Sequence, residues 1–226
     1  MTRTALNLQM QNILDEILVS GSMVEQAMIS AIDALKTRNV KAAHTIFEQD
    51  QVINEKRFAI ENAILILIAT QQPMARDLRK LASMFEVNTE LERMGDYAKG
   101  IAKVTMRLGD AETLIPDPEI DQMCAQAVSM LHRALTAYIE EDVAQALAIP
   151  KEDNIVDDLF NSAYRKIVNA MITNPDQIDH VNMMMWVIHN LERMADRVTN
   201  ICERTVFIAT GELFEVDSMD EDDSNI

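Results

Sequence analysis

LERMGDYAKGIAK (91–103) returns as LERMADRVTNICE (191–203). Leu91, Glu92, Arg93, Met94, Asp96 and Ile101 recur 100 residues later as Leu191, Glu192, Arg193, Met194, Asp196 and Ile201. Such ordered recurrence marks a duplication, and a repeat sets the organisation of a chain before any finer reading. Upstream, ALKTRNVKAAHTIFEQDQVINE (34–55) lies over AYIEEDVAQALAIPKEDNIVDD (137–158) at a constant offset of 103. Asn39 falls on Asp142, Val40 on Val143, Ala43 on Ala146, Ile46 on Ile149, Asp50 on Asp153 and Asn54 on Asp157. The offset shortens between the two segments, and the turn carrying Pro73 in one copy and Pro175 in the other is the place for that deletion.

Each copy reads as three helices. The chain has only 5 Gly, 5 Pro and 4% aromatics, and is rich in residues that lose little rotamer freedom in a helix. In the first copy Met10, Ile13, Ile17, Val24, Met28, Ala31 and Leu35 step by three, four or seven, the spacing of one amphipathic helix. Asn39 is a natural N-cap for the second helix, as Asp142 is in the other copy. That helix runs through Ile46, Ile53, Ile60 and Ile64 to the TQQP turn, and the third follows Pro73 with Leu81, Met84, Val87, Leu91, Met94, Ala98 and Ile101. Pro150 falls inside the second copy's middle helix and should kink it or delay its start. The expected division is a first repeat over 1–108, a linker over 109–120, a second repeat over 121–210 and an acidic tail over 211–226. The tail holds seven acidic residues and no basic one, a composition expected to be disordered.

The net charge of -17 excludes a phosphate-contacting basic footprint, and with it nucleic acid and direct adhesion to anionic lipid. The longest strongly apolar runs, AILILIA (63–69) and MMMWVI (183–188), fall far short of the roughly 20 residues of a spanning helix, so no membrane insertion is expected. The N-terminus lacks the pattern of a signal peptide, which points to the cytoplasm, where the isolated Cys124 and Cys202 stay reduced.

The chemistry concentrates in acidic pairs. Glu92 and Asp96 are i, i+4 neighbours on one side of a helix, and Asp50 and Asn54 repeat the spacing on the preceding helix. The second copy offers Glu192 with Asp196 and Asp153 with Asp157. Like charges at that spacing destabilise a helix by roughly 0.2–0.5 kcal/mol, so their recurrence invites a cation. Asp50 continues the apolar stripe of its helix and should point inward, where a carboxylate needs a partner or a metal. Converging, these oxygens suit a divalent or trivalent metal, Fe, Mn or Mg foremost. The competing reading is structural: Arg93 to Asp96 as an ordinary surface ion pair, worth well under about 1 kcal/mol. No catalytic constellation emerges. None of the four histidines is preceded by Glu at i-3, so the Glu-x-x-His pattern of di-iron bundles is missing, although a di-metal carboxylate oxidoreductase on a helix bundle stays open as the alternative to a non-enzymatic role.

AIDALKTRNVKAA, DQVINE, QQPMARDLRKLASMFEVNTELERMGDYAKGIAK and NLERMADRVTNICE together resemble the PhoU family of phosphate-uptake regulators over most of the chain. The resemblance implies an all-α fold of two homologous three-helix bundles side by side, metal clusters on the repeated acidic motifs, and homodimers. It further implies negative regulation of phosphate-starvation signalling through the ATP-binding subunit of the phosphate ABC transporter and its sensor histidine kinase, from a position peripheral to the inner membrane. Carried over by position, the metal residues are Asp50, Asn54, Glu92 and Asp96 in the first repeat and Asp153, Asp157, Glu192 and Asp196 in the second. The second copy has Ala195 before Asp196 in place of the family's glycine. The first has Gly100 and Lys103 where the family carries Asn and an acid, whereas the second retains Glu203. Neutral Asn54 and cationic Lys103 against acidic Asp157 and Glu203 predict two unequal sites, the second binding metal more tightly.

Overall fold

The computed structural model describes residues 3–111 and 115–213. The acidic tail from residue 214 onward, and with it the expectation of disorder there, lies outside the described residues. The first repeat is α1 (Arg3–Lys36), α2 (Val40–Gln71) and α3 (Arg76–Leu108). The second is α4 (Asp117–Glu140), α5 (Val143–Ala148), a 3-10 turn (Ile149–Glu152), α6 (Asp153–Thr173), a 3-10 turn (Pro175–Gln177) and α7 (Ile178–Thr210). Among the described residues there is no strand.

Local chemistry sets these boundaries. The Asn39 side chain accepts the Ala42 N–H at 3.0 Å and opens α2, and Asp142 does the same for Gln145 N–H at 3.0 Å to open α5. Gln72 closes α2 in the left-handed region at φ 48, its N–H returning to Ile68 O, one residue before Pro73 forbids continuation. Pro150 has no N–H for the ladder, and the chain tightens there into the 3-10 turn that separates α5 from α6. The middle helix of the first repeat is thus continuous and its counterpart is broken. One boundary moves: α4 begins at Asp117, inside the stretch assigned to the linker, because Pro118 and the acids Asp117 and Glu119 form a favourable first turn.

The apolar stripes named from the sequence are interior. Met10, Ile13, Ile17, Val24, Met28, Ala31 and Leu35 of α1 are buried with Leu81, Met84, Val87, Leu91, Met94, Ala98 and Ile101 of α3, in one core continuous across both repeats. Helix α1 also differs from the expectation. It is long and apolar enough to cross a membrane, with mean hydropathy 1.2 over its richest window, yet its apolar residues are interleaved with uncharged polar ones and form no long unbroken run. Here its stripe is packed against α2, α3 and α4.

Equivalent helices pair with each other. The most extensive contact joins α3 to α7, and α1 meets α4 in the same way. Tyr97 Oη accepts from Nε of Arg197, its counterpart, at 3.3 Å, while Gly100 faces Asn190 and Glu90 faces Arg197. The two third helices therefore cross antiparallel around position 97. Two glycines permit the close approach: a Cβ on Gly100 would stand 2.9 Å from Asn190 Nδ2, and one on Gly21 would stand 2.3 Å from Leu135 Cδ1.

Candidate metal-binding sites

The acidic positions fall where α2 faces α3 and where α6 faces α7. Asp50 is turned inward as expected, 4% exposed, at the floor of a largely apolar cleft of about 600 Å³ between α1 and α2. Its Oδ2 accepts from Asn54 Nδ2 at 2.9 Å and from Lys99 Nζ at 2.5 Å. Its Oδ1 is buried with no hydrogen-bond partner and lies toward Gly95, where a Cβ would stand 3.8 Å from it. Lys99 reaches from α3 between two carboxylates, its Nζ also 3.5 Å from Asp96 Oδ1. The Asp50 hydrogen bond holds the Lys99 ammonium above its ordinary pKa. Glu92 stands half-buried with Arg57 Nη1 3.8 Å from its Oε1. Burial, and after it the Asp96 carboxylate, push the Glu92 carboxyl up against the opposing pull of Arg57.

In the second repeat Asp153 opens α6 immediately after the Pro150 turn, and Asp157 follows one helical turn later, exposed. From α7, Glu192 and Asp196 face them, half-buried. Burial, then the Asp196 carboxylate, raise the pKa of both Asp157 and Glu192, and Asp157 adds to the shift of Glu192. Three carboxylates from two helices thus sense one another. The basic side chains beside them stand on α7: Arg193 Nη1 is 3.0 Å from Asp196 Oδ2, and the His189 imidazole Nδ1 is 3.3 Å from Glu192 Oε2. Glu203, half-buried, lies two turns beyond Asp196 on the same helix.

The two acidic sets are therefore not alike. Among the described residues, no three His, Cys, Asp or Glu side chains close on a common point in either repeat. In the first repeat the donors do not fit a metal, since a lysine already bridges the carboxylates of α2 and α3. In the second, the donor chemistry fits: oxygen ligands on facing helices, Asp157 and Glu192 both raised in pKa by burial and by Asp196, with Thr199 at the position of Lys99. Lys103, the cation singled out by sequence, lies 5.3 Å over the Phe47 ring, the ring that Lys99 also meets. The residues that neutralise the first set, Lys99 and Arg57, were missed, although the repeat carried the signal: their counterparts are Thr199 and Phe160. Following acids alone across the repeat hides the cations that changed with them. The two cysteines are buried, and desolvation pushes their thiols to about 11 at Cys124 and about 12 at Cys202, leaving them inert.

Known proteins share this fold. The PhoU domain model matches residues 17–105 and again 120–205. A protein of Clostridium acetobutylicum named phosphate-specific transport system accessory protein PhoU homolog is 33% identical over 212 residues, which is 93% of this chain and 97% of that one. The Escherichia coli phosphate-specific transport system accessory protein PhoU is 29% identical, covering 92% of this chain and 86% of its own. The crystal structure of the phosphate transport system regulatory protein PhoU from Streptococcus pneumoniae superposes with a TM-score of 0.85 at 30% identity, over 92% of this chain and 99% of that one. PhoU from Pseudomonas aeruginosa gives a TM-score of 0.86 at 28% identity, over 91% and 99%. With two domain matches over its two repeats and relatives aligned over nearly their whole length, the chain belongs to the PhoU family.

Proposed function

We propose that the protein is a non-enzymatic, metal-binding regulator of phosphate uptake. It restrains phosphate-starvation signalling by contacting the ATP-binding subunit of the phosphate ABC transporter and its sensor histidine kinase. The names of its relatives, accessory and regulatory proteins of phosphate-specific transport, support the accessory role. The observation that carries the metal half is the second repeat's set of Asp157, Glu192 and Asp196, carboxylates from facing helices in which the Asp196 charge adds to burial in raising the pKa of Asp157 and Glu192. Asp153 and Glu203 extend that set along α6 and α7. A hard cation there, Fe, Mn or Mg, supplies charge neutralisation that draws α6 and α7 together.

The contact surface lies on the first repeat, where the α1–α2 cleft is walled by Leu18, Met23 and Ile53 beside exposed Val19 and Val52. An apolar face of this kind favours a protein partner. The strongly acidic composition favours proteins over lipid or nucleic acid, consistent with a cytoplasmic regulator held near the inner membrane through its partners. Trp186, 62% exposed within MMMWVI, gives an apolar patch for a homodimer. Co-purification with the transporter's ATP-binding subunit and with the kinase, at high and low phosphate, tests the regulatory reading, and no capture of either under both conditions overturns it. Light scattering tests the dimer: a monomer at micromolar concentration removes it.

A further inference from the structure

We infer that Lys99 is a tethered cation standing in for a metal ion in the first repeat, so that this repeat holds its acidic helices together with metal absent. That the second repeat alone takes a metal rests on the function proposed above; the role of Lys99 does not. A cation joining the two helices must lie between Asp50 on α2 and Asp96 on α3. Lys99 Nζ is there, 2.5 Å from one carboxylate and 3.5 Å from the other. Its charge is further held by the Phe47 ring, 5.6 Å from Nζ. Arg57 meets the remaining acid, Glu92, at 3.8 Å. A divalent ion entering this space has to displace an ammonium attached to the protein and then face Arg57, both opposed by charge repulsion in a partly dehydrated setting.

The second repeat differs at four matched positions. Thr199 replaces Lys99, Phe160 replaces Arg57, Asp157 replaces Asn54 and Glu203 replaces Lys103. The Thr199 hydroxyl turns to its own helix, donating to Asp196 O at 2.6 Å, and makes no bridge of the Lys99 kind. Four differences, each making the first repeat the more positive, distinguish a carboxylate set that carries its own cation from one that calls for an external one. Asp50 still offers an open oxygen: its Oδ1 is buried beside Gly95 with no hydrogen-bond partner, an acceptor that the Lys99 ammonium and the Asn54 amide on Oδ2 do not satisfy.

The test removes Lys99 in a chain whose second set is disabled. In an Asp157→Ala/Asp196→Ala background, manganese alone is added to metal-free protein and bound metal is counted by emission spectroscopy after gel filtration. The parent is expected to hold none. Lys99→Thr, which copies the second repeat, is expected to hold about one equivalent and to melt at a higher temperature with manganese than without. Lys99→Arg keeps a cation and is expected to stay metal-free. Manganese in the parent, or a folded Lys99→Thr that takes none and melts unchanged, overturns the inference. If Lys99→Thr folds only with manganese present, the inference stands; if it folds under neither condition, metal in the parent decides. Intact protein that binds manganese nowhere sinks the proposed metal role of the second repeat and leaves the Lys99→Thr comparison to be read independently.

Discussion

Arg197 of α7 places Nη1 3.3 Å from Glu90 Oε2 of α3, so the two repeats are joined through their core by an ion pair whose acid is 8% exposed. Tyr97 Oη accepts from the same guanidinium at 3.3 Å and holds it in the interface. Removing the arginine strands a buried carboxylate, whereas removing both charges leaves only a packing change. Arg197→Met is expected to lower unfolding free energy in urea by about 2–3 kcal/mol, and Glu90→Gln/Arg197→Met to recover more than half. Equal losses in single and double variants would show that packing, not charge, sets the cost.

The tight contact of Gly21 with a leucine side chain predicts a second effect. A methyl group on Gly21 meets Leu135 Cδ1 at 2.3 Å, and Leu135 is itself buried. Alanine improves helix propensity by up to about 1 kcal/mol, but overpacking typically costs about 1–3 kcal/mol. Gly21→Ala should therefore melt a few degrees lower and Gly21→Val lower still; a stabilised Gly21→Ala would mean that Leu135 has room to swing aside.

Glu119 makes stability depend on acid in one direction. Burial pushes its carboxyl up, but the Lys166 ammonium at 2.6 Å and the Ser162 hydroxyl at 3.0 Å outweigh it, and the pKa lies below the ordinary value of 4.5. A depressed acid contributes stability that is present above the unfolded pKa and lost as pH falls through the folded one. At pH 7 Glu119→Gln is expected to lose about 1–2 kcal/mol. The gap between variant and parent should narrow once pH drops below about 4.5. A gap that stays constant through that range excludes the ion pair as its source.

The second-repeat acids act with the opposite sign. Glu192 and Asp157 hold their protons to higher pH in the folded chain than in the unfolded one, burial first and Asp196 next. Metal-free protein should therefore gain stability as pH falls from neutrality into the upper carboxylate range. Asp196→Asn removes one source of the repulsion and is expected to raise the metal-free unfolding free energy slightly, by about a few tenths of a kcal/mol. The same variant should lose any protection given by manganese. A variant destabilised without metal would mark Asp196 as a structural partner of Arg193, which lies 3.0 Å away.

Much of this is legible in the sequence, and the parts that are not share a cause. Asn39 and Asp142 are readable as caps because the hydrogen bond they make is local, and Pro150 because its effect needs no neighbour. Asp50 is readable as inward because it interrupts an apolar stripe. Lys99 and Arg197 look like ordinary surface cations on amphipathic helices, and only tertiary packing shows which carboxylate each one meets. The start of α4 at Asp117, inside the stretch 109–120, is hard to see from sequence because proline in a first turn opens a helix as readily as it marks a loop.

The pairing of α3 with α7 and of α1 with α4, each helix meeting its own equivalent antiparallel, is the geometry of a two-fold homodimer written into one chain. A single repeat that met a second copy of itself through position 97 would bury the same stripes, and fusion through a short connection would preserve that contact. Once the halves are covalently joined they no longer have to stay identical. One can spend its carboxylates on a lysine while the other keeps them, a divergence that symmetry forbids to a true dimer of one gene product.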